Sequence, residues 1–359
     1  MQMILYILIA ILMFGSLIFV HELGHFLTAR LFHVTIYEFA IGMGPKLISW
    51  KSKKNGTAYS LRLLPIGGFV SMAGEDEESD DDGAINKKPV WQRLIITAAG
   101  SFMNLAIGFI VMLLFVAFAK NLGTTVVTNF ADWATSKQTI SADGNVVDGL
   151  LPGDNIIEIN GKKVHVFYDM SYKISRYGTE PIDITVIRNG EKVILEDVIF
   201  PTKEEQGVLF GRRDFNIEYA EKRIGFVLKT AFYQSVYTVR TVFDSLYDLV
   251  TGKYGMEQLS GPIGITEVIT SEAQNAVEKK DSSGLWSLFI ILAINLGTMN
   301  LLPIPALDGG RIAFLIVEGI RRKPLEPKIE GYIHAAGMAL LMLLMLIVAF
   351  KDVFTIIIK

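Results

Sequence analysis

At 359 residues the chain has the length of two ordinary soluble domains, yet 51% of it is hydrophobic and its mean hydropathy is +0.39, so part of it is built for lipid. A net charge of -3 leaves no basic surface for phosphate backbones, and neither nucleic acid nor nucleotide is expected as a partner. The absence of cysteine removes disulfides, thiolate zinc sites and cysteine nucleophiles, so any metal must be held by His, Asp or Glu.

A membrane-spanning helix takes about 20 mainly apolar residues. Four windows supply them: Met3 to Val20 with its continuation to Ala29, Leu94 to Ala119, Gly284 to Leu302, and Tyr332 to Phe350. The predicted fold is an α-helical multi-pass membrane protein with four transmembrane helices, a membrane-associated β-hairpin region and an inserted extracytoplasmic α/β domain.

Residues 1–30 make the first span, which lacks the basic start and small-residue cleavage pattern of a secretory signal and is read as retained. Inside it lies His21-Glu22-Leu23-Gly24-His25, an HExxH pattern where a hydrophobic helix has no reason to carry charge. Helical spacing puts the imidazoles one turn apart on one face, able to hold a metal ion, with Glu22 beside them in reach of a metal-bound water. Zinc is the natural occupant. Only five histidines exist in the chain, and two of them flank this Glu at the required spacing. A helix from Met3 to Thr28 would run roughly 39 Å, longer than a hydrocarbon core of about 30 Å, so His25 is expected near a membrane boundary.

Residues 31–92 read as a cytosolic or membrane-dipping β segment. Tyr59 to Pro65 partly alternates, and Gly67-Gly68 followed by Phe69 to Met72 predicts a turn and a returning strand. The acidic run Gly74 to Gly83 reads as a solvated loop without EF-hand spacing. After the second span, 93–120, residues 121–205 turn soluble and strand-rich. They predict a Pro152-Gly153-Asp154 turn, a strand Ile156 to Ile159, an Asn160-Gly161 hairpin turn, a helix around Tyr168 to Tyr177, and a strand Ile182 to Arg188 turned by Asn189-Gly190 into Val193 to Leu195. The stretch Val146 to Gly161 resembles a PDZ domain, present once and without a clear carboxylate-binding loop. Within 206–283, Ile224 to Val250 reads as an amphipathic helix resting at the outer membrane interface.

The third span, 284–310, ends in Asn300-Leu301-Leu302-Pro303-Ile304-Pro305-Ala306-Leu307-Asp308-Gly309-Gly310. The prolines force an extended segment near membrane depth, which is tolerated where it lines a protein cavity. A cytosolic loop 311–331, a fourth span 332–351 and a tail 352–359 follow. Arg30, Arg93, Arg311, Arg321, Arg322 and Lys323 flank the spans on one side, while the first twenty residues carry no Lys or Arg. By the positive-inside rule both termini face out, and 30–92 and 309–331 are cytosolic. The first and third spans then end on the same side, which makes Asp308 the candidate third ligand of a three-ligand catalytic zinc site. His33, His165 and His334 stand alone and read as structural or interfacial.

HELGH in the first span, with NLLPIPALDGG ending a later one, resembles the site-2 protease family of intramembrane zinc metalloproteases, best of all its bacterial RseP type, here with a single PDZ domain. Gly42-Met43-Gly44-Pro45, Pro65-Ile66-Gly67-Gly68-Phe69-Val70, Gln92-Arg93 to Ala99-Gly100 with Asn104, and Leu259-Ser260-Gly261-Pro262 agree with that type. The resemblance implies that His21, His25 and Asp308 bind Zn2+, that Glu22 is the catalytic acid/base, and that Asn300, Pro303 and Pro305 help to handle the substrate. It further implies a bacterial cell-membrane enzyme whose substrates are single-span proteins such as anti-sigma factors, cut after a first external cleavage, and signal-peptide remnants.

A transmembrane substrate hides its carbonyls in helical hydrogen bonds and must be unwound before hydrolysis. An exposed strand edge would offer replacement bonds, and the expected edge is the hairpin carrying Leu61, Leu63, Gly67 and Gly68. The PDZ-like segment, placed outside, reads as a size filter against bulky ectodomains. The alternative from another class is a proton-coupled or metal-ion transporter using the same ionisable residues, which four spans without inverted repeats fit poorly. A non-catalytic membrane scaffold is a third reading.

Overall fold

A computed structural model describes residues 2–75, 79–140, 146–205, 207–253, 261–324 and 326–358. Among these residues eight α-helices run in chain order: α1 Gln2–Leu31, α2 Val90–Phe118, α3 Phe167–Tyr177, α4 Ile224–Val250, α5 Pro262–Lys279, α6 Ser283–Asn300, α7 Asp308–Arg321 and α8 Pro327–Ile358. The strands are β1 Ile36–Lys51, β2 Ala58–Met72, β3 Leu122–Phe130, β4 Gln138–Ile140, β5 Val146–Asp148, β6 Asn155–Ile159, β7 Lys162–Lys163, β8 Ile182–Arg188, β9 Glu191–Val198, β10 Thr202–Glu205, β11 Val208–Gly211 and β12 Phe215–Ala220. The chain divides into two compact units, Met1–Val111 with Gly255–Lys359, and Met112–Tyr254.

Leu5–Leu31, Val90–Phe118, Ser283–Asn300 and Lys328–Phe354 are long and apolar enough to cross a membrane. Their exposed apolar side chains, such as Leu340 and Phe350 on α8, suit a lipid surface and not water. Small residues let these helices meet closely, as lipid-immersed helices require in the absence of a hydrophobic drive between them. A Cβ on Gly24 of α1 would lie 2.4 Å from the Ala99 carbonyl oxygen, and one on Gly297 of α6 would lie 2.8 Å from that of Ser101. Both glycines press their backbones onto α2, which brings α1 and α6 to the same stretch of that helix.

The expected hairpin exists, but with a different fold-back. β2 runs unbroken through Gly67-Gly68, and the reversal lies between β1 and β2. Gly67 accommodates φ +87 within the strand, a conformation that carries no penalty only for glycine. Both strands bend, so Ile41 pairs with both Leu61 and Gly68, while Leu61 pairs with both Ile41 and Ile48. The result is a four-layer ribbon ordered 46–51, 58–62, 36–41, 68–72. Leu61 is therefore an interior position, and the ribbon has two edges, 46–51 and 68–72, of which 68–72 carries Val70, packed against α1 and α2. Phe26, Phe39, Val70 and Ile96 bury the hairpin against α1 and α2.

Three boundaries differ from expectation in this unit. The third span stops at Asn300, and the expected loop 311–331 is largely helix, α7, because the turn after Pro305 re-nucleates a helix at Asp308. The expected tail continues α8 to Ile358, and α5 is a helix not read from the sequence. Of the acidic run, residues 76–78 lie outside the described residues, as do Leu259 and Ser260. Its flanks are ordered, since Asp81 Oδ1 accepts from Thr35 Oγ1 at 3.0 Å and from Gly83 N at 2.7 Å.

In the second unit the sheet order is β12-β3-β6-β8-β9-β4-β5, with β7 paired to β6 and α3 packed on it. Ile156, Ile159, Met170, Ile174, Ile184 and Val186 are its fully buried core. The Pro-Gly-Asp turn forms as expected: Gly153 takes φ +92, and Asp154 Oδ2 accepts from Leu151 N at 2.8 Å and pairs with Arg188 at 2.7 Å. The module outruns its expected end at 205, because β12 pairs antiparallel with β3 and closes the sheet.

α4 is amphipathic, as its spacing predicts, but its polar face is docked on protein. Arg176 of α3 grips Asp248 through two bonds of 2.5 and 2.8 Å, and Tyr172 donates to Asp244 at 2.8 Å. Lys173, fully buried, pairs with Asp169 at 2.6 Å and donates to Tyr237 at 3.2 Å. His165 stacks on Tyr233 at 4.1 Å, so it is not isolated. The opposite face exposes Ile224, Leu228, Phe232, Phe243, Tyr247 and Val250.

Candidate active site

α1 presents His21 and His25 one turn apart, both nearly buried. Asp308 reaches them from the end of the third span. Pro303 and Pro305 stop α6 from continuing, and residues 301–307 form an unwound link held by turn bonds such as Leu301 N to Thr298 O at 3.1 Å and Leu307 N to Ile304 O at 3.2 Å. Ala306 adopts φ +76 there, a strained conformation for a residue with a Cβ, and its N–H donates to His334 Nδ1 of α8 at 2.9 Å. His334 thus positions the link. Asp308 opens α7, where a carboxylate is favoured by the helix dipole.

The three side chains converge. His21 Nε2 lies 3.2 Å from His25 Nε2 and 3.2 Å from Asp308 Oδ2, and His25 Nε2 lies 3.5 Å from the same oxygen. Ligands about 2.0–2.1 Å from a tetrahedral zinc ion stand about 3.3 Å apart, so these donor atoms have the spacing of three corners of such a shell. Among the described residues this is the one group of three such side chains gathered within metal-binding reach.

The outer ring of contacts fits the same role. His25 Nδ1 lies 2.8 Å from the Ile96 carbonyl oxygen and donates to it, which fixes the tautomer whose Nε2 lone pair faces Asp308. Asn104, fully buried on α2, brings its amide 3.3 Å from His21 Nδ1, while its Oδ1 has no partner. Turning that amide end for end satisfies both groups: Oδ1 then accepts from His21 Nδ1–H and leaves Nε2 free for a metal. Ser101 Oγ lies 3.4 Å from Asp308 Oδ2. Asn104 belongs to the segment that agrees with the family type, and it lies one helical turn (i, i+4) from Gly100; Ser101 was not singled out in the sequence.

Two cavities open on these residues. One, of about 200 Å³, is lined by His21, Glu22, His25 and Asp308 with Phe69, Val70 and Met72 of β2 and the Glu75–Arg311 pair, 2.5 Å apart. The other, of about 250 Å³, is lined by Ile18, His21, Glu22, Leu296, Asn300 and Leu307. Glu22 faces both. Gly68 belongs to the site as well, since a Cβ on it would sit 3.3 Å from Glu22 Cγ. Pro303 and Pro305 line neither cavity and shape the backbone instead, while Leu61 and Leu63 are exposed on the hairpin away from both.

Residues 9–344 match the sequence model of Peptidase family M50. The chain belongs to that family. This M50 peptidase is 37% identical, over 97% of its length and 97% of the relative's, to a Clostridium acetobutylicum protein named, by inference, as a zinc metalloprotease. It is 30% identical to the Regulator of sigma-W protease RasP of Bacillus subtilis, covering 96% of this chain and 97% of the relative, and 30% identical to the Zinc metalloprotease RasP of Geobacillus kaustophilus, covering 96% of each. The M50 peptidase is therefore a zinc-dependent, multi-pass membrane metalloprotease, and nothing in these likenesses favours a transporter.

Proposed function

We propose that this M50 peptidase hydrolyses peptide bonds inside the transmembrane segments of single-span proteins of the anti-sigma-factor type, with signal-peptide remnants as further substrates. His21, His25 and Asp308 hold the zinc ion, and Glu22 is the acid/base. The observation that carries the reading is the mutual spacing of three donor atoms drawn from one candidate span and from the unwound end of another.

Zinc supplies Lewis acidity, lowering the pKa of a water and polarising the scissile carbonyl. The Glu22 carboxylate takes the proton of the attacking water and returns it to the leaving amide nitrogen. Asn300, on the wall of the second cavity, donates from its amide to the substrate backbone. The strand 68–72 offers its unpaired edge to the unwound substrate, which extends the hairpin ribbon by one strand. The soluble module, PDZ-like in its Val146 to Gly161 core, stands outside the cell and excludes intact ectodomains, so a prior external cut precedes this one. The active site lies near the cytosolic face, in keeping with the Arg and Lys residues flanking the spans on that side.

Metal analysis of purified wild type and Glu22→Gln, paired with mass spectrometry of a detergent-solubilised transmembrane peptide, tests the assignment. About one zinc per chain in both proteins, with cleavage lost by a factor of about 10² or more in the variant, is the expected result. A Glu22→Gln chain that cleaves at the wild-type rate removes the acid/base role.

A further inference from the structure

A third cavity, of about 160 Å³, lies wholly within the second unit. Its wall joins the last turns of α2 at Phe115 and Val116 to Leu122 of β3, Phe167 of α3 and Ile217 of β12. Thr230 and Gln234, one turn apart on α4, also line it; they are 6% and 9% exposed, and Thr230 Oγ1 and Gln234 Oε1 have no hydrogen-bond partner. Arg213 completes the wall. Its guanidinium lies 5.1 Å from the centre of the Phe167 ring and donates to the Phe215 carbonyl, but no carboxylate among the described residues pairs with it. The adjacent Asp214 instead accepts from the backbone N–H groups of Thr135 and Ser136. Burial holds the Arg213 pKa below its ordinary value. A partly buried cation without an anion, beside two orphaned buried polar atoms, is a destabilising set unless a ligand satisfies it.

We propose that this cavity binds the phosphate of an anionic phospholipid from the adjoining leaflet, with Arg213 and the Thr230 hydroxyl donating to phosphate oxygens and the Gln234 amide, turned end for end so that its NH2 replaces Oε1 at the cavity, donating the remaining bond. Arginine suits phosphate through its paired donors. A lipid source is favoured by position, because Phe115 and Val116 belong to the end of a candidate membrane span, and an acyl chain leaving the cavity would run onto the exposed Leu114 and Phe118 of the same helix. The same end of the span is flanked by Lys222, whose ammonium lies 3.4 Å from the Ala117 carbonyl oxygen. The volume is below the range of about 300–1,000 Å³ that encloses drug-sized ligands, which matches a headgroup and not an extended peptide.

The full chain in dodecyl maltoside is titrated with dihexanoyl-phosphatidylglycerol, and bound lipid is counted by native mass spectrometry. One saturable site is expected, weakened about tenfold by Arg213→Gln and by Thr230→Val/Gln234→Leu, and partly restored by Arg213→Lys. The double variant keeps the lining volume and decides the matter should Arg213→Gln fail to fold. Equal lipid binding by wild type and variants overturns the site. Arg213-dependent binding of inorganic phosphate without lipid binding overturns the lipid source, and Arg213-dependent binding of a peptide with a free C-terminal carboxylate, again without lipid binding, overturns the ligand class.

Discussion

Gly100 of α2 faces His25 so closely that a Cβ on it would lie 2.3 Å from His25 Nε2, and 2.8 Å from His21 Nε2. A side chain there would occupy the space of the donor atoms. Gly100→Ala is expected to lower zinc affinity about tenfold or more, as judged by metal content after chelator challenge. Gly331→Ala on α8, where an added Cβ meets nothing within 4 Å, should leave it unchanged.

The edge at 68–72 makes a second expectation. Successive residues of a strand point their N–H groups to opposite sides, so of Val70→Pro and Ser71→Pro one removes a bond to β1 and the other removes a donor from the free edge. The edge variant should lose cleavage of a transmembrane peptide while keeping its zinc. Full activity in both variants would refute substrate pairing at this strand.

The Arg176–Asp248 pair should be a latch between α3 and α4. Asp248 is 1% exposed, and replacing it with Ala leaves the Arg176 charge only its longer contact with Asp244, at 3.9 Å. A loss of about 3–5 kcal/mol in the stability of the module is expected. Arg176→Met/Asp248→Leu, which removes both charges together, should recover most of it in thermal melts.

Much of this organisation was legible in the sequence, and the failures have local causes. HExxH at helical spacing is a short-range pattern, so the placing of His21 and His25 one turn apart with Glu22 beside them is legible in the sequence, as is the unwound link that the two prolines impose before Asp308. The fold-back of the hairpin was misread because Gly67-Gly68 has the chemistry of a turn, whereas pairing with β1 holds Gly67 at positive φ inside a strand. Gly100 and Asn104 agree with the family pattern in the sequence, but their roles lie in contacts with α1, which no periodicity within α2 reveals. The closing strand β12 was missed for the same reason: its partner β3 lies some ninety residues earlier.

Glu38 on β1 gives the hairpin a pH dependence. Burial would raise its carboxyl, but hydrogen bonds from Ser60, Lys46 and Arg62 outweigh burial and hold its pKa at about 2. Because this lies below the ordinary value of 4.5, the ionised group contributes stability in full above that pH and loses it as the pH falls towards 2. Thermal melts between about pH 5 and pH 2.5 should show wild type losing about 1–3 kcal/mol relative to Glu38→Gln. Parallel curves for the two proteins would refute this.

Asp308 is translated long after His21, 287 residues further along the chain (308 minus 21). With the ligand set proposed above, a chain translated only as far as α6 holds two histidines and a glutamate but lacks the third donor, so its metal site is incomplete until α7 is made.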